Sequence, residues 1–455
     1  MATKHIVSAE VGVETSFGSV AAATGVPAVG AIVFYGAEIT DRSAILQPGE
    51  PILTDQNAVA RDGLYEMPAE PASLQASDGS WYKRKNATFT LTFPCRGIGD
   101  GTVFDAFSKM PLWNCILTGL QEAALAAPDT DIVQTADTAT SHTCDDATGL
   151  SDDIAGAMIK TVTNGRTEFA GITDVTGEVI KYSPALTAPL TLADVVYPMR
   201  QAVIPQKGVP STQSIIVKLN GIGWKSTCFG CKATKVNWIY TAETGRLDMS
   251  IEMMSPYVEY ENTTDDTVPA LYADGGVCHH LNAYLRISDT AGTRSTPIAA
   301  PAEEAATTYC LDEFSASLTI TRSPNKCGSS ILGMSDNEAV DYKMECNMVL
   351  GTTNTAFDDA LWDGDMHSMI VGFNSGALPA LPDTSNQSGE GAAFYIPAAK
   401  LSSDPEKRDT GKDHLRTALN VGIGYWNGDS DEATATVPVD ALFRWGMGEL
   451  FTYTP

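Results

Sequence analysis

The chain has 455 residues, of which 43% are hydrophobic and 19% are charged, and its formal net charge is -27. A chain of this length usually folds around more than one hydrophobic core. Its composition excludes disorder throughout the chain. The balance of 29 Lys and Arg against 56 Asp and Glu argues against tight nucleic-acid binding, because such binding gathers phosphates with cations.

The first 126 residues hold one clear strand and the best helical pattern. Apolar residues alternate with Asn and Thr from Asn86 to Phe93, which predicts a strand with one buried face. Helical spacing follows between Val103 and Leu125, with a break expected at Pro111. The polar segment 41–80 is interpreted either as an arm that reaches a neighbouring subunit or ring, or as a plain surface loop.

Residues 127–205 differ in composition from their surroundings. They begin with an acid-rich stretch that has no Lys or Arg, and they continue into a hairpin that turns near Thr176 and Gly177. We predict an inserted small β module here. The flanking segments 1–126 and 206–286 then form a discontinuous first domain.

Three further strands are predicted after this insert, at 214–219, 231–239 and 247–253. Their alternation leaves one face polar, and half-buried strands of this kind are typical of antiparallel sheets. We therefore expect a mostly β fold of sandwich or barrel type, with short flanking helices.

Two cysteines in this region are a weak candidate for a metal site. Cys228 and Cys231 have the spacing of a zinc knuckle, and Cys278, His279 and His280 are possible further ligands. A second Cys pair at set spacing is missing, so the favoured interpretation is two small buried residues. No metal and no cofactor are expected.

Residues 287–309 are rich in Ala, Pro and Thr and predict a linker. The second domain is predicted at 310–455. Strand alternation returns there at 314–320, 342–348 and 415–423, and a short helix is predicted from Thr355 to Trp362.

The order of these elements is repeated in the two halves. A strand, a helix and three strands occupy 86–93, 103–125, 214–219, 231–239 and 247–253, and again 342–350, 355–362, 367–373, 393–400 and 415–425. A duplicated β unit favours repetitive architecture over a single catalytic centre. The sequence also has no nucleophile elbow, Walker loop or zinc-protease helix, so no enzymatic activity is expected.

Two short segments resemble the tail tube (major tail) proteins of long-tailed, siphovirus-like bacteriophages. The segment Val13-Glu14-Thr15-Ser16-Phe17-Gly18 is similar to the opening of that family. The segment from Phe229-Gly230-Cys231-Lys232 through Ala242-Glu243-Thr244-Gly245 to Met253 is similar to its strand, Gly turn and strand. Residues 172–189 and the stretch from Phe314 to Tyr425 also fit the family.

This resemblance implies a virion structural protein whose sheets join edge to edge into rings that stack into a tube. Two tube folds in one chain imply trimeric rings, whereas a single tube fold implies hexameric rings. The implied partners are other copies of the chain, the tape-measure protein and other tail proteins, and viral DNA that passes through the lumen without specific binding.

The implied location is the phage tail, with assembly in the host bacterial cytoplasm. The first ten residues lack the apolar core of a secretion signal, and no apolar run reaches the length of a membrane span, so no membrane partner is expected. Nine cysteines in a chain of this size fit reduced, buried thiols.

Two other classes of function stay open at this point. One is another virion part, either a capsid decoration protein or a tail terminator. The other is a carbohydrate-binding β-sandwich, which predicts a cleft with aromatic platforms and close carboxylate pairs.

Overall fold

The structure is a computed structural model in which the chain is described in segments. These are residues 6–14, 17, 31–33, 87–98, 111–122, 131–135, 138–144, 158–163, 166–187, 189–190, 195–198, 200–204, 213–221, 224–262, 274–277, 283–288, 306–326, 334–351, 367–374, 391–403, 417–423 and 444–448. The predicted helix at 355–362, the arm at 41–80 and the candidate ligands Cys278, His279 and His280 lie outside the described residues.

Within the described residues, twenty-five strands and one helix follow one another. Those ahead of the small module are β1 (Ile6–Val13), β2 (Ala31–Val33), β3 (Ala87–Pro94), β4 (Arg96–Ile98), α1 (Pro111–Leu117) and β5 (Gln121–Glu122). The next are β6 (Asp131–Thr135), β7 (Ser141–Cys144), β8 (Met158–Thr163), β9 (Arg166–Thr176), β10 (Val179–Ser183) and β11 (Val195–Pro198). These are followed by β12 (Arg200–Val203), β13 (Ile215–Gly221), β14 (Trp224–Thr241), β15 (Arg246–Ser255), β16 (Tyr257–Asn262), β17 (Asp274–Val277) and β18 (Tyr284–Ser288). The last are β19 (Ala306–Tyr309), β20 (Leu311–Lys326), β21 (Met334–Leu350), β22 (His367–Asn374), β23 (Gly391–Ser403), β24 (Thr417–Ile423) and β25 (Arg444–Gly448).

Seventeen of these strands form one continuous sheet. Strands β6 to β11 close into a separate small barrel, and β4 pairs with β17. All described strand pairs are antiparallel. The prediction of a mostly β, antiparallel fold with little helix is therefore confirmed.

Strand β15 illustrates why these segments form strands. Its side chains alternate over the whole length between the core and the surface. The core-facing set is Leu247, Met249, Ile251 and Met253, and each is at most 1% exposed. Burying side chains of this size stabilises the fold by roughly 1.5 to 3 kcal/mol each relative to leaving them in water.

Two long strands bend and so belong to two parts of the sheet. The first half of β14 pairs with β13 and β16, whereas its second half pairs with β15 and β20. The bend falls at Gly230, whose φ of +62° is a conformation that favours glycine. Strand β23 likewise pairs with β22 and β25 in its first half and with β24 in its second.

The main core lies where β14 and β20 pack across β22 and β23. The Phe314 and Phe394 rings are 4.7 Å apart, and Trp238 meets Phe394 edge-on with ring centroids 5.5 Å apart. Phe373 lies 5.8 Å from Phe314 in the same cluster. Aromatic contacts of this geometry add to the burial term and fix how the two layers face each other.

The described helix ends earlier than the sequence predicts. It begins at Pro111, where a break was expected, because proline at the first helical position has a suitable φ and needs no N–H donor. Its buried Cys115 and Ile116 pack on the sheet, and the Thr118 hydroxyl accepts a 2.9 Å hydrogen bond from the Ala233 N–H. Residues 99–110 lie outside the described part of the chain.

Two sets of seven strands share one pairing order. The pairs in the first set are β1–β2, β1–β13, β13–β14, β14–β15, β14–β16 and β15–β3. The pairs in the second set are β18–β19, β18–β22, β22–β23, β23–β24, β23–β25 and β24–β21. The strands also occur in the same order along the chain in both sets.

The small barrel occupies residues 131–198, within the span predicted for the inserted module. Its β9–β10 hairpin closes with Thr176 opposite Val179, and Gly177 takes a φ of +63° in the turn. The predicted hairpin at this position is confirmed. The boundaries 127–205 for a separate module stay a prediction.

The two ends of the predicted linker are strands. Residues 287–288 belong to β18 and residues 306–309 form β19, and Ile287 pairs with Thr307. The residues between them lie outside the described part of the chain. Among the described residues, no helix is long and apolar enough to cross a membrane.

We expect the fold to lose stability in alkaline solution. Burial raises the pKa of Cys346 from 9.0 to about 12. The pKa of Tyr240 rises from 10.0 to about 12, mainly because of burial and to a smaller extent because of the nearby Cys310 thiol. Because each folded pKa exceeds the unfolded value, this stability is present below pH 9 and is lost as the pH rises toward 12. Burial lowers the pKa of Lys232 and Arg322, so the contribution of these two groups to stability increases as the pH rises.

Denaturant titrations from pH 8 to 11, with tyrosinate absorbance recorded alongside, measure this effect. Absorbance that rises together with unfolding fits the burial described above. Ordinary phenol titration near pH 10 without loss of structure contradicts it.

Candidate functional site

The candidate site is one broad surface, called here the polar face. It is the side of β3, β15, β14, β20, β21 and β24 opposite the core, and these strands are neighbours in that order. Its side chains are half-buried or exposed: Thr88, Thr90, Thr92, Arg246, Asp248, Ser250, Glu252, Lys235, Asn237, Ile239, Glu313, Ser315, Ser317, Thr319, Asp341, Lys343, Glu345, Asn347, Ala418 and Asn420. Strand alternation places them there, because every core-facing residue leaves its two neighbours on the other side.

Hydrogen bonds across the strands hold the middle of the polar face. The Ser317 hydroxyl donates to the side-chain Oδ1 of Asn237 at 2.7 Å, and the side-chain Nδ2 of Asn237 donates to the Ser250 hydroxyl at 3.1 Å. These residues are direct neighbours in the register of three adjacent strands. Side-chain ladders of this kind stabilise a sheet and give a surface of fixed, short groups.

The polar face carries charges of both signs. They are the carboxylates of Asp248, Glu252, Glu313, Asp341 and Glu345 and the cations of Lys235, Arg246 and Lys343. Lys343 already pairs with Glu345 at 2.7 Å. The strong negative charge of the chain is therefore not concentrated on this face, and few free cations are offered to phosphate.

The same layer of the sheet ends in two edges. At one end β3 pairs with β15, and the described residues provide no partner on its other side. At the other end Lys400 to Ser403 of β23 pair with β24, and no described strand lies against their opposite edge. Free strand edges are sites at which further strands add.

A buried carboxylate fastens the end of β1 to the bend in β14. The Glu14 carboxylate accepts hydrogen bonds from the Gly230 N–H at 2.8 Å and from the Ser214 hydroxyl at 2.5 Å. Phe17 lies over the same bend, with the Lys232 ammonium 5.5 Å from its ring centroid. The two segments that carry the family resemblance thus contact each other.

We expect Gly230→Ala to destabilise the protein by about 1 to 3 kcal/mol, because alanine is strained at this φ. An added Cβ would also lie 3.0 Å from Cγ of Pro256 and 3.2 Å from Cε2 of Phe17. Gly177→Ala is the matched control, since its φ of +63° is equal but no atom lies within 4 Å of its added Cβ. Denaturant unfolding of both variants separates backbone strain from crowding, and equal losses contradict a packing role for Gly230.

Cys228 and Cys231 both lie inside β14 and are fully buried. Cys231 Sγ donates to the Cys228 carbonyl oxygen at 3.3 Å, and burial raises the pKa of the Cys231 thiol. A raised pKa opposes the thiolate form that zinc binds. Within the described residues, no group of three or more Cys, His, Asp or Glu is placed to hold a metal.

The small barrel is joined to the main sheet by a buried ion pair that sequence reasoning missed. The Arg286 guanidinium lies 3.1 Å from the Glu168 carboxylate, and their side chains are 2% and 8% exposed. Glu168 also accepts hydrogen bonds from the Thr187 N–H, at 3.0 Å, and from the Thr187 hydroxyl. Nothing local marks either residue, because 118 positions separate them along the chain.

Close backbone contacts complete this joint. The Phe169 N–H donates to the Tyr284 hydroxyl at 2.5 Å, and burial raises the pKa of that hydroxyl. A Cβ on Gly372 would lie 2.6 Å from the Phe169 ring, and a Cβ on Gly171 would collide with the Tyr395 ring. These two glycines let the barrel approach β22 and β23 closely.

No protein-family model matches the chain, and no curated protein is significantly similar to it.

Proposed function

We propose that this protein is a non-enzymatic virion component, a tail tube protein of a long-tailed bacteriophage, that assembles with copies of itself into stacked rings. The observation that carries the proposal is the polar face, a continuous run of antiparallel strands with short polar side chains. Rolled into a ring, such a sheet lines a wet channel and leaves its apolar side for the core. Ring closure would also remove the free strand edges.

The proposal includes a duplicated fold. Both sets of seven strands pair in the same order, and both contain a long strand that bends between two parts of the sheet. Two independent domains have little reason to share six strand pairings in the same chain order. This correspondence favours a second unit that starts with β18 at Tyr284, ahead of the linker predicted for 287–309.

Two units per chain favour trimeric rings. Three copies would supply six similar units around the channel, whereas six copies would be needed if each chain held one unit. The small barrel would then sit outside the channel-lining layer, because it contacts β18, β22 and β23 and has no part in the polar face.

Viral DNA and, before ejection, the tape-measure protein would occupy the lumen. The polar face suits passage because its described strands offer DNA few cations, and two of these, Arg246 and Lys343, are already paired with Asp248 and Glu345. Few cations mean that few counterions are released and that the duplex is not held. The location would be the virion tail.

The first test is negative-stain electron microscopy at rising protein concentration, with mass photometry alongside. We expect hollow rings or stacked tubes, with a mass of three chains per ring. A compact monomer that persists even when tape-measure protein is added overturns the proposal, and a decoration protein or a glycan binder then becomes the better assignment.

A labelling experiment tests which surface lines the lumen. Ser317→Cys places a thiol on the polar face, after the exposed Cys310 has been changed to Ser. Assembly should block its reaction with a polymer-linked maleimide and leave the reaction with a small maleimide intact. Glu178→Cys on the exposed turn of the small barrel is the control and should react with both reagents in both states.

A further inference from the structure

The two similar units are already joined once within a single chain. Residues Lys235 to Thr241 of β14 pair in antiparallel fashion with Glu313 to Thr319 of β20. Strand β20 belongs to the second unit, since it forms a long hairpin with β21. The second half of β14 is thus the edge at which the first unit accepts a strand from the next unit.

The second unit has the equivalent edge. Strand β23 corresponds to β14, since each pairs through its first half with two strands and then continues beside a third. Like Lys232 to Thr241 of β14, which lie past its pairing with β13, Lys400 to Ser403 of β23 lie past its pairing with β22. They pair with β24 alone among the described strands.

We propose that this edge, Lys400 to Ser403, accepts an antiparallel strand from a second copy of the chain, as β14 accepts β20 within one chain. The inference rests on the proposed function and names the junction between subunits. It makes the contact head-to-tail, because the accepting edge lies at the β23 end of the layer and the opposite edge of the layer is β3. Head-to-tail contacts close into rings when the rotation per copy divides a full turn.

The side chains on this edge fit such an addition. Lys400 is exposed on the side of the polar face, while Ala399 and Leu401 are fully buried on the core side. An added strand with the usual alternation would continue both faces without exposing apolar groups. This is also the pattern across the β14–β20 junction, where Asn237 faces Ser317 and Trp238 faces Ala316.

Strand direction restricts how the copies join. Six antiparallel steps lead from β3 through β15, β14, β20, β21 and β24 to β23, so β3 and β23 run in the same direction. Direct pairing of β23 with the β3 strand of the next copy would therefore be parallel. An antiparallel junction requires the second copy to supply a different strand, which then lies between β23 and that copy's β3.

Site-specific photocrosslinking of the full chain tests this junction. A benzophenone amino acid replaces Lys400 in one variant and Lys343 in a matched control, and isotopically light and heavy copies are mixed before assembly. Lys343 is also exposed on the polar face, but it lies opposite Thr319 of β20 in its own chain, on a strand that also pairs with β24. Because neighbouring strands place side chains within about 5.5 Å, we expect mixed light–heavy products at position 400 and only intrachain products at position 343.

Three outcomes are distinguishable. Mixed products at position 400 that map to one segment of the second copy support the junction. Rings that form without interchain products at position 400 overturn the junction and leave the proposed function standing. A chain that remains monomeric at every concentration overturns the proposed function, and the junction with it.

Discussion

Arg286→Met will lower the free energy of unfolding by about 3 to 5 kcal/mol, because it leaves a buried carboxylate without its counter-ion. The Glu168 side chain is 8% exposed, and once the guanidinium is removed its remaining bonds among the described residues are those to Thr187. The variant also loses the 3.3 Å hydrogen bond from Arg286 Nε to the Thr308 hydroxyl, which ties β18 to β19. Denaturant unfolding of the variant and the parent protein measures the loss.

The double variant Arg286→Met, Glu168→Gln separates the ion pair from simple packing. Removing both charges should recover much of the stability, since no unpaired charge then remains buried. The exposed pair Lys343 and Glu345 is the control, and Lys343→Met should leave the unfolding transition unchanged. Equal losses in the single and double variants contradict the role of the charge pair.

Hydrogen exchange locates the strands that Arg286→Met destabilises. The ion pair, the Phe169 to Tyr284 hydrogen bond and the contact between the Ser183 and Ser368 hydroxyls together hold the small barrel on β18 and β22. We expect Arg286→Met to raise exchange first in these two strands and in β9. Such local opening has a smaller free energy than global unfolding and is therefore seen separately.

The strands were predictable because their residues alternate over long stretches. The predicted strand at 247–253 lies within β15, and the one predicted at 86–93 matches β3 over 87–93, because one face of each is buried and the other is wet. The turn near Gly177 was equally visible, since two-residue hairpin turns require residues that tolerate positive φ. Local rules suffice where neighbours in sequence decide the structure.

The polar face could be predicted only in part. Alternation gives the polar residues of each strand, but the neighbour relations of β14 to β20 and of β21 to β24 join segments distant in sequence. The ion pair between Glu168 and Arg286, and the hydrogen bond from the Gly230 N–H to the Glu14 carboxylate, join residues that no local sequence pattern marks.

Arg322→Ala will destabilise the protein by about 3 to 4 kcal/mol, because this side chain connects three elements through their backbone carbonyls. Its guanidinium donates to Ala233 O of β14 at 2.6 Å, to Asn337 O of β21 at 2.9 Å, and to Thr118 O just after α1 at 2.5 Å. The carbonyls at the end of a helix have no partner within the helix, so the bond to Thr118 also caps α1. Without the guanidinium, three partly buried acceptors lose charge-assisted hydrogen bonds at once.

Arg322→Lys should recover little of this stability, although it keeps the positive charge. A lysine ammonium is a point donor and cannot span three carbonyls that the planar guanidinium reaches with separate nitrogens. Arg246→Lys is the matched control, because Arg246 is exposed and its ion pair within the described part of the chain is with Asp248, two positions along the same strand, at 2.9 Å. Thermal and denaturant unfolding of the three variants should place Arg322→Lys near Arg322→Ala and Arg246→Lys near the parent protein. Full recovery by lysine would mean that charge near Asp336, rather than the fork of hydrogen bonds, holds α1 against the sheet.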